Sequence, residues 1–251
     1  MTRRRFIADE VTHSSAALTG EHADHLVRVL RARVGQEFDI ATPEAVRSGR
    51  ISSIANDRVE FELGEYVSAS PLPEITLVLA IFKFDRMEWA IEKCTELGVS
   101  RIFPIIARRT DSHLAAASKK RVERWQRIVR QASEQSRRTE PPEIFAPVKL
   151  AEVLNFASPK LRIILSEFEE TALLRDVVNL DAMRDGIAFA VGPEGGWSDE
   201  EVRLFQEAGW LPASLGNTIL RAETAAIAAV AVATSLMWGQ QRSAVQSSQS
   251  R

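Results

Sequence analysis

The sequence predicts two folded parts of different class: a small β domain in the first 70 residues, then an α/β domain built on a mostly parallel sheet. Three observations carry this. Between Arg58 and Leu63 every second residue is apolar (Val59, Phe61, Leu63), the pattern of a strand with one wet face. Residues 68–73, Ser-Ala-Ser-Pro-Leu-Pro, combine small residues with two prolines, as a stiff and exposed linker does. From residue 75 onward, short continuous apolar runs alternate with segments of helical spacing, as expected of strands covered on both faces by helices.

The elements follow in order. Glu21–Leu30 has helical spacing. Arg50–Ile54 and Arg58–Leu63 flank Asn56-Asp57 and predict a hairpin. Short antiparallel strands in so little chain predict a small β-barrel. Ile75–Phe82 is an unbroken apolar strand, and Asp85–Leu97 is a helix stopped by Gly98, a residue suited to the left-handed conformation just past a helix end. Arg101–Ile106 is a strand, residues 118–138 a long helix, and Arg162–Ser166 and Ile187–Val191 two more buried strands. The Gln- and Ser-rich end, 241–251, predicts a disordered tail. The domain boundaries so read are 1–70, 75–240 and 241–251.

Composition narrows the function classes. With 251 residues, 45% of them hydrophobic, the chain can bury a sizeable core. A net charge of −2 excludes a uniformly basic coat but leaves room for local basic faces. The single cysteine, Cys94, excludes an intrachain disulfide and any cysteine-cluster metal site, and its helical neighbours Trp89, Ile91 and Leu97 mark it as core. His22 and His25 have no partner at metal-site spacing, so no metal is expected. MTRRRFIADE is not followed by an apolar signal region, and the longest apolar stretch, Ala225–Ala233, falls well short of the roughly 20 residues of a membrane span. A cytoplasmic protein is expected.

Three stretches could carry chemistry. In Val191-Gly192-Pro193-Glu194-Gly195-Gly196-Trp197-Ser198 a strand ends in a glycine-rich turn, and Ser198 with Glu201 forms a capping box that starts a helix. Glycines there let backbone approach a ligand beyond a strand's carboxyl end. A tight strand-to-helix turn without a ligand has the same residues. The pattern is not G-x-G-x-x-G, and the chain has no phosphate loop and no G-x-S-x-G elbow, which disfavours dehydrogenase, nucleotide-hydrolase and esterase chemistry. In Leu215-Gly216-Asn217-Thr218-Ile219-Leu220-Arg221-Ala222-Glu223-Thr224, a turn enters an apolar helix whose wet end carries Arg221 and Glu223. As plain surface chemistry this is a cap or an ion pair of little worth. Finally, Lys119, Lys120, Arg121, Arg124, Arg127, Arg130, Arg137 and Arg138 are opposed by Glu123 and Glu134 alone. That is either a solvated face or a phosphate contact. Arg3, Arg4, Arg5, Arg28, Arg31 and Arg33 add a second basic group.

Taken together, these blocks resemble the bacterial small-subunit (16S) rRNA uridine-N3 methyltransferase family, regarded as a branch of the SPOUT superfamily. The likeness runs over residues 3–238. It rests on His25-Leu26-Val27-Arg28-Val29-Leu30-Arg31, Lys83 to Gly98, Arg124-Trp125 with Glu134-Gln135-Ser136, Gly192 to Gly196, and Leu220 to Ala225. Asp111-Ser112 and Trp197 depart from the family pattern. The resemblance implies a PUA-like RNA-binding β-barrel followed by a trefoil-knotted SPOUT α/β methyltransferase domain, a homodimer, and S-adenosylmethionine as cofactor. Carried onto this chain, it implies cofactor contacts at Leu165, Ser166, Glu167, Gly192, Pro193, Gly195, Gly196, Leu215, Gly216, Ile219, Leu220 and Thr224. Arg221, Glu194 and Glu223 become the catalytic candidates, and Arg3, Arg4, Arg5, Arg28, Arg31, Arg124, Arg137 and Arg138 the RNA contacts. Ribose 2′-O-methylation and a non-catalytic ribosome-assembly role are the alternatives. The Arg221–Ala225 motif stands where ribose methyltransferases carry an Asn-Val-Ser-like sequence, and the intact loops argue for catalysis.

Overall fold

The computed structural model describes residues 4–42, 45–55, 57–67, 74–136, 138, 140–154, 161–167, 169, 172–178 and 182–249. The chain divides into two units, residues 1–71 with 130–141, and residues 72–129 with 142–251. The expected linker, 68–73, lies outside the described residues.

The smaller unit holds β1 (Arg5–Ile7), β2 (Glu10–Val11), β3 (Ser15–Thr19), α1 (Gly20–Asp24), β4 (Glu37–Ala41), β5 (Val46–Ala55) and β6 (Arg58–Val67); α1 continues as a π-helical turn over His25–Val29. The strands form one sheet in the order β1-β4-β5-β6-β3-β2, antiparallel except for the β1–β4 pair. The hairpin read from the alternation is β5–β6: Val59, Phe61 and Leu63 are buried while Glu62 is exposed. Register shifts beside Gly49 and between Ile51 and Ser53 increase the local twist and curl the sheet. Gly49 is obligatory there, because a Cβ would lie 2.3 Å from Ile40 Cγ1. Inside the curl Phe6, Phe38 and Phe61 pack edge to face, with ring centres 5.4 and 6.4 Å apart.

The amino-terminal strands are held by polar contacts. The Asp9 carboxylate accepts from Thr19 N (2.9 Å) and His22 Nδ1 (3.2 Å) and pairs with Arg130 Nη2 (2.9 Å), which also donates to Ile7 O (2.6 Å). Burial, then the Arg130 charge, hold the His22 imidazole below its ordinary pKa. Burial likewise pushes the nearby Glu134 carboxyl up to about 6, outweighing the Arg130 charge.

The larger unit holds β7 (Ile75–Ala80), α2 (Phe84–Glu96), β8 (Arg101–Ile106), α3 (Ser112–Ser118), most of α4 (Val122–Ser136), β9 (Glu143–Ile144), β10 (Val148–Lys149), α5 (Leu150–Leu154), β11 (Leu161–Leu165), α6 (Leu174–Val177), β12 (Ile187–Val191), α7 (Asp199–Glu207), β13 (Leu211–Ala213) and α8 (Ala222–Gln249). Every strand pairing here is parallel, in the order β10-β8-β7-β12-β11-β13, with β9 also on β8. Every residue of β7 and β12 is buried, as a parallel sheet covered on both faces requires. Alternate residues serve opposite faces. Leu77, Leu79, Ile187 and Phe189 meet the α2 and α8 side, while Val78, Ala80, Ala188 and Ala190 meet Trp197, Phe205 and Trp210. Helix α2 turns Met87, Ile91 and Cys94 inward, and Gly98 follows it at φ +108°. Burial drives the Cys94 thiol far above its ordinary pKa, which suits core packing and not nucleophilic chemistry. Of the expected tail, 241–251, residues 241–249 fall on the end of α8, where side chains are not described, and 250–251 lie outside the described residues. Among the described residues no helix is long and apolar enough to cross a membrane, and no group of three or more His, Cys, Asp or Glu could hold a metal ion.

Three expectations are corrected. The long helix expected over 118–138 is shorter: it is α4, Val122–Ser136, and a 3₁₀ turn at Lys119–Arg121 separates it from α3. The amino-terminal domain is not a closed PUA-like barrel. Its edge strands both lie in the segment Arg5–Val11, but no ladder joins β1 to β2, so the sheet is an open, curled half-barrel. The trefoil-knotted SPOUT class is corrected as well, to an open half-barrel followed by a parallel sheet. The knotted class was what the family resemblance implied, and the sequence blocks that carry a resemblance say nothing of how the chain is threaded.

Candidate active site

Strands β12, β11 and β13 are neighbours, and the loops at their carboxyl ends converge. Ser166 and Glu167 follow β11, Gly192–Trp197 follow β12, and Ser214–Arg221 follow β13. With Arg86 of α2 and Ala222 and Ala225 of α8, these loop residues other than Gly195 and Asn217 line one cavity of about 360 Å³, within the usual range for small-molecule sites. A pocket at the carboxyl ends of parallel strands is where open α/β sheets bind ligands.

Each loop is fixed by identifiable contacts. Trp197 is buried and donates Nε1–H to Leu165 O (3.1 Å), tying the β12 loop to β11. Its ring packs so close to Gly192 that a Cβ there would sit 3.2 Å from it, which explains a glycine at that position. Gly196, at φ +69°, donates its N–H to Pro193 O (2.8 Å) and closes the turn. The capping box is present: Ser198 Oγ accepts from Glu201 N, and Glu201 Oε2 accepts from Ser198 N (2.9 Å). The other carboxylate oxygen of Glu201 accepts from Arg108 N (2.7 Å), and Arg109 Nη1 donates to Gly195 O (2.7 Å). The loop after β8 therefore clasps the glycine turn from outside the cavity. Ser166 N donates to Ala213 O (3.0 Å) and Leu174 N to Ser214 O (2.8 Å), which join the other two loops.

Residues 68–234 match the family model of an RNA methyltransferase domain. The chain is 34% identical, over 94% of its length and 78% of the other's, to ribosomal RNA small subunit methyltransferase E of Synechocystis sp.. It belongs to the ribosomal RNA small subunit methyltransferase E family. A crystal structure of the Neisseria gonorrhoeae methyltransferase E bound to S-adenosyl methionine matches with a TM-score of 0.80 at 31% identity, covering 93% of this chain and 98% of that one. The Legionella pneumophila methyltransferase Lpg2936, in complex with the bound cofactor SAM, matches with a TM-score of 0.80 at 29% identity, covering 94% and 98%. The fold of the methyltransferase E enzymes, a curled half-barrel and a parallel sheet, thus replaces the knotted SPOUT class. The chain is an rRNA methyltransferase.

Of the cofactor contacts expected for a methyltransferase E enzyme, Leu165, Ser166, Glu167, Gly192, Pro193, Gly196, Leu215, Gly216, Ile219 and Leu220 line the cavity; Gly195 and Thr224 do not. Arg221 and Glu194 line it too. Glu223 does not: it is buried beside the cavity with Oε1 3.8 Å from Arg86 Nε. The expected RNA contacts are dispersed. Arg4 and Arg31 are exposed, Arg28 is exposed and pairs with Asp24 (3.2 Å), Arg5 pairs with Asp39 (3.9 Å), and Arg124 is exposed and pairs with Glu88 (2.8 Å). Arg138 is buried, and desolvation pushes its pKa down to about 10, so its guanidinium is not on offer to phosphate. Arg3 and Arg137 lie outside the described residues.

Sequence reasoning missed three residues of this site: Arg86, Arg109 and Trp197. Arg86 had a signal, a cation in the first turn of a helix whose preceding strand is central to the sheet. Arg109 and Trp197 had none, since each acts through a contact with residues 86 and 32 positions away.

Proposed function

We propose that this chain transfers a methyl group from S-adenosylmethionine to N3 of a uridine in the 16S rRNA of the small ribosomal subunit, as a cytoplasmic homodimer. The observation that carries the reading is the convergence of the three expected cofactor loops on one cavity at the carboxyl ends of β11, β12 and β13. The two relatives named with bound cofactor share this fold over almost the whole chain.

The residues present fit the cofactor. Gly192 and Gly196 bring backbone without side chains to the cavity wall, and Leu215, Ile219 and Leu220 offer apolar area to a purine. The exposed Glu194 and Glu167 suit a positively charged sulfonium. Bound there, S-adenosylmethionine supplies an electrophilic methyl group. The protein's own tasks are to hold the two reactants in line and to make uracil N3 a nucleophile. N3 carries a proton, and its loss leaves negative charge on the flanking carbonyl oxygens. A cation aimed at those oxygens lowers that cost. Arg221 and Glu194 face the cavity and are placed to touch substrate; Glu223 acts through Arg86. Because a paired N3 edge is inaccessible, the target uridine is unpaired or turned out of its helix. The half-barrel, residues 1–70, with exposed Arg4, Arg28 and Arg31, holds flanking RNA through phosphates, and residues 75–240 form the methyltransferase domain.

The test is transfer of labelled methyl from S-adenosylmethionine to undermethylated small subunits, followed by nucleoside analysis. The expected product is 3-methyluridine. A 2′-O-methyl nucleoside would replace base by ribose methylation, and subunit binding without transfer would favour an assembly role. Light scattering is expected to give the mass of two chains.

A further inference from the structure

We infer that Arg86 is the cation that acts on the uracil, and that the buried Glu223 is the positioning residue that aims it. The inference rests on reading the cavity as the uridine-N3 methylation site. Two cations line that cavity, and they differ in how they are held. Arg221 is exposed, and among the described residues its guanidinium has neither an ion pair nor a hydrogen bond. Arg86 is tethered: its Nε lies 3.8 Å from Glu223 Oε1, with side-chain exposures of 31% and 4%.

The tether has a physical reason. A carboxylate taken out of water is costly unless a cation compensates it, and the other oxygen of Glu223, Oε2, is buried without a hydrogen-bond partner. The charge beside Glu223 is Arg86, so leaving that place strands the carboxylate. Arg86 is thereby held with its Nε edge toward Glu223. Its two terminal nitrogens make no hydrogen bond among the described residues, while the side chain lines the cavity. A guanidinium fixed before the substrate arrives stabilises developing charge without reorganisation; an exposed, untethered one such as Arg221 must first be ordered. The charge balance is simple. N3 gives its proton to solvent, the electron pair so freed takes the methyl carbon, and the pair of the broken carbon–sulfur bond stays with sulfur, which ends neutral. Until the new bond forms, the negative charge sits on the uracil oxygens, and that charge is what Arg86 meets.

The experiment uses the full chain with Arg86→Gln, Arg86→Lys, Glu223→Gln and Arg221→Gln. For each, calorimetry gives the S-adenosylmethionine Kd, and single-turnover methylation of undermethylated small subunits is followed from neutral to alkaline pH. Arg86→Gln is expected to slow turnover by about 100- to 1,000-fold, with the cofactor Kd within about threefold of the parent. The deficit should shrink as pH rises toward the ionisation of uracil N3, because an already ionised base needs less help. Arg86→Lys should recover part of the rate, and Glu223→Gln should show a smaller loss with the same pH signature. An Arg86→Gln variant whose cofactor Kd worsens by the same factor as its rate, with a pH-independent deficit, would make Arg86 a cofactor clamp and overturn the inference. A larger pH-dependent loss in Arg221→Gln would overturn it equally. If Arg86→Gln fails to fold, the pH profile of Arg86→Lys decides: a parent-like rate and profile supports a charge role, and a pH-independent loss overturns it. Should the parent chain yield a product other than 3-methyluridine, it is the reading of the site that fails, whatever the Arg86 variants do.

Discussion

Both units of this chain have an apolar core, but the central strands of one and the edge strands of the other are secured by different physics. In the larger one, the central strands β7 and β12 are apolar at nearly every position and buried on both faces, so dispersion and the hydrophobic effect hold them. In the smaller one, the edge strands β1 and β2 hang on the Asp9 carboxylate and its three donors. The first kind of stability depends on volume and is nearly blind to pH. The second depends on charge and can be titrated. The loops that line the cavity grow from the first kind, which suits a cavity that must keep its shape.

Three substitutions sharpen that contrast, from the largest effect to the smallest. Phe189→Ala empties a fully buried position in β12 and is expected to cost about 3–5 kcal/mol in chemical denaturation, with loss of cofactor binding since β12 carries the glycine loop. A cost under about 1 kcal/mol would mean the parallel sheet is not the rigid part. Asp9→Ala removes the acceptor shared by Thr19, His22 and Arg130 and should cost about 2–3 kcal/mol. Hydrogen exchange should then quicken in residues 5–19 and stay unchanged in β7 and β12. Equal loss of protection in both units would erase the distinction.

Glu134→Gln tests the titration. The folded pKa, about 6, lies above the ordinary 4.5, so the folded state holds this proton more tightly than the unfolded one. The contribution of Glu134 is therefore fully present below pH 4.5 and lost as pH rises through 6, by at most about 2 kcal/mol. Glutamine mimics the protonated form. Melting temperatures of parent and variant should coincide near pH 4.5, and the variant should melt about 2–6 °C higher above pH 7. A constant difference across that range would show that burial does not control this carboxyl.

Much of the architecture was legible in the sequence because it follows from local periodicity. The Val59–Leu63 alternation located the hairpin, the apolar runs located β7, β8 and β12, and Ser198 with Glu201 announced the start of α7. Closure was not legible, since alternation tells which face of a strand is wet and not whether the last strand meets the first. Arg138 was assigned to a wet helical face, but α4 ends at Ser136, so helical phase no longer governs where its side chain goes. In the site, the cavity-lining residues of the loops after β11, β12 and β13 were named from the family resemblance. Arg86 was not, because its role depends on Glu223, which lies 137 positions along the chain on a different helix. Pairings of that kind are made by the contact of α2 with α8, and no local pattern encodes it.

Cys94 has a practical consequence. It is the chain's one thiol, it is fully buried, and burial raises its pKa and disfavours the reactive thiolate. The native protein is therefore silent toward maleimides and iodoacetamides. A fluorophore or spin label placed through an introduced surface cysteine would report from a single known position, with no background to subtract. Left unlabelled, Cys94 is a clock: the rate at which a thiol reagent reaches it counts the openings of the α2 layer.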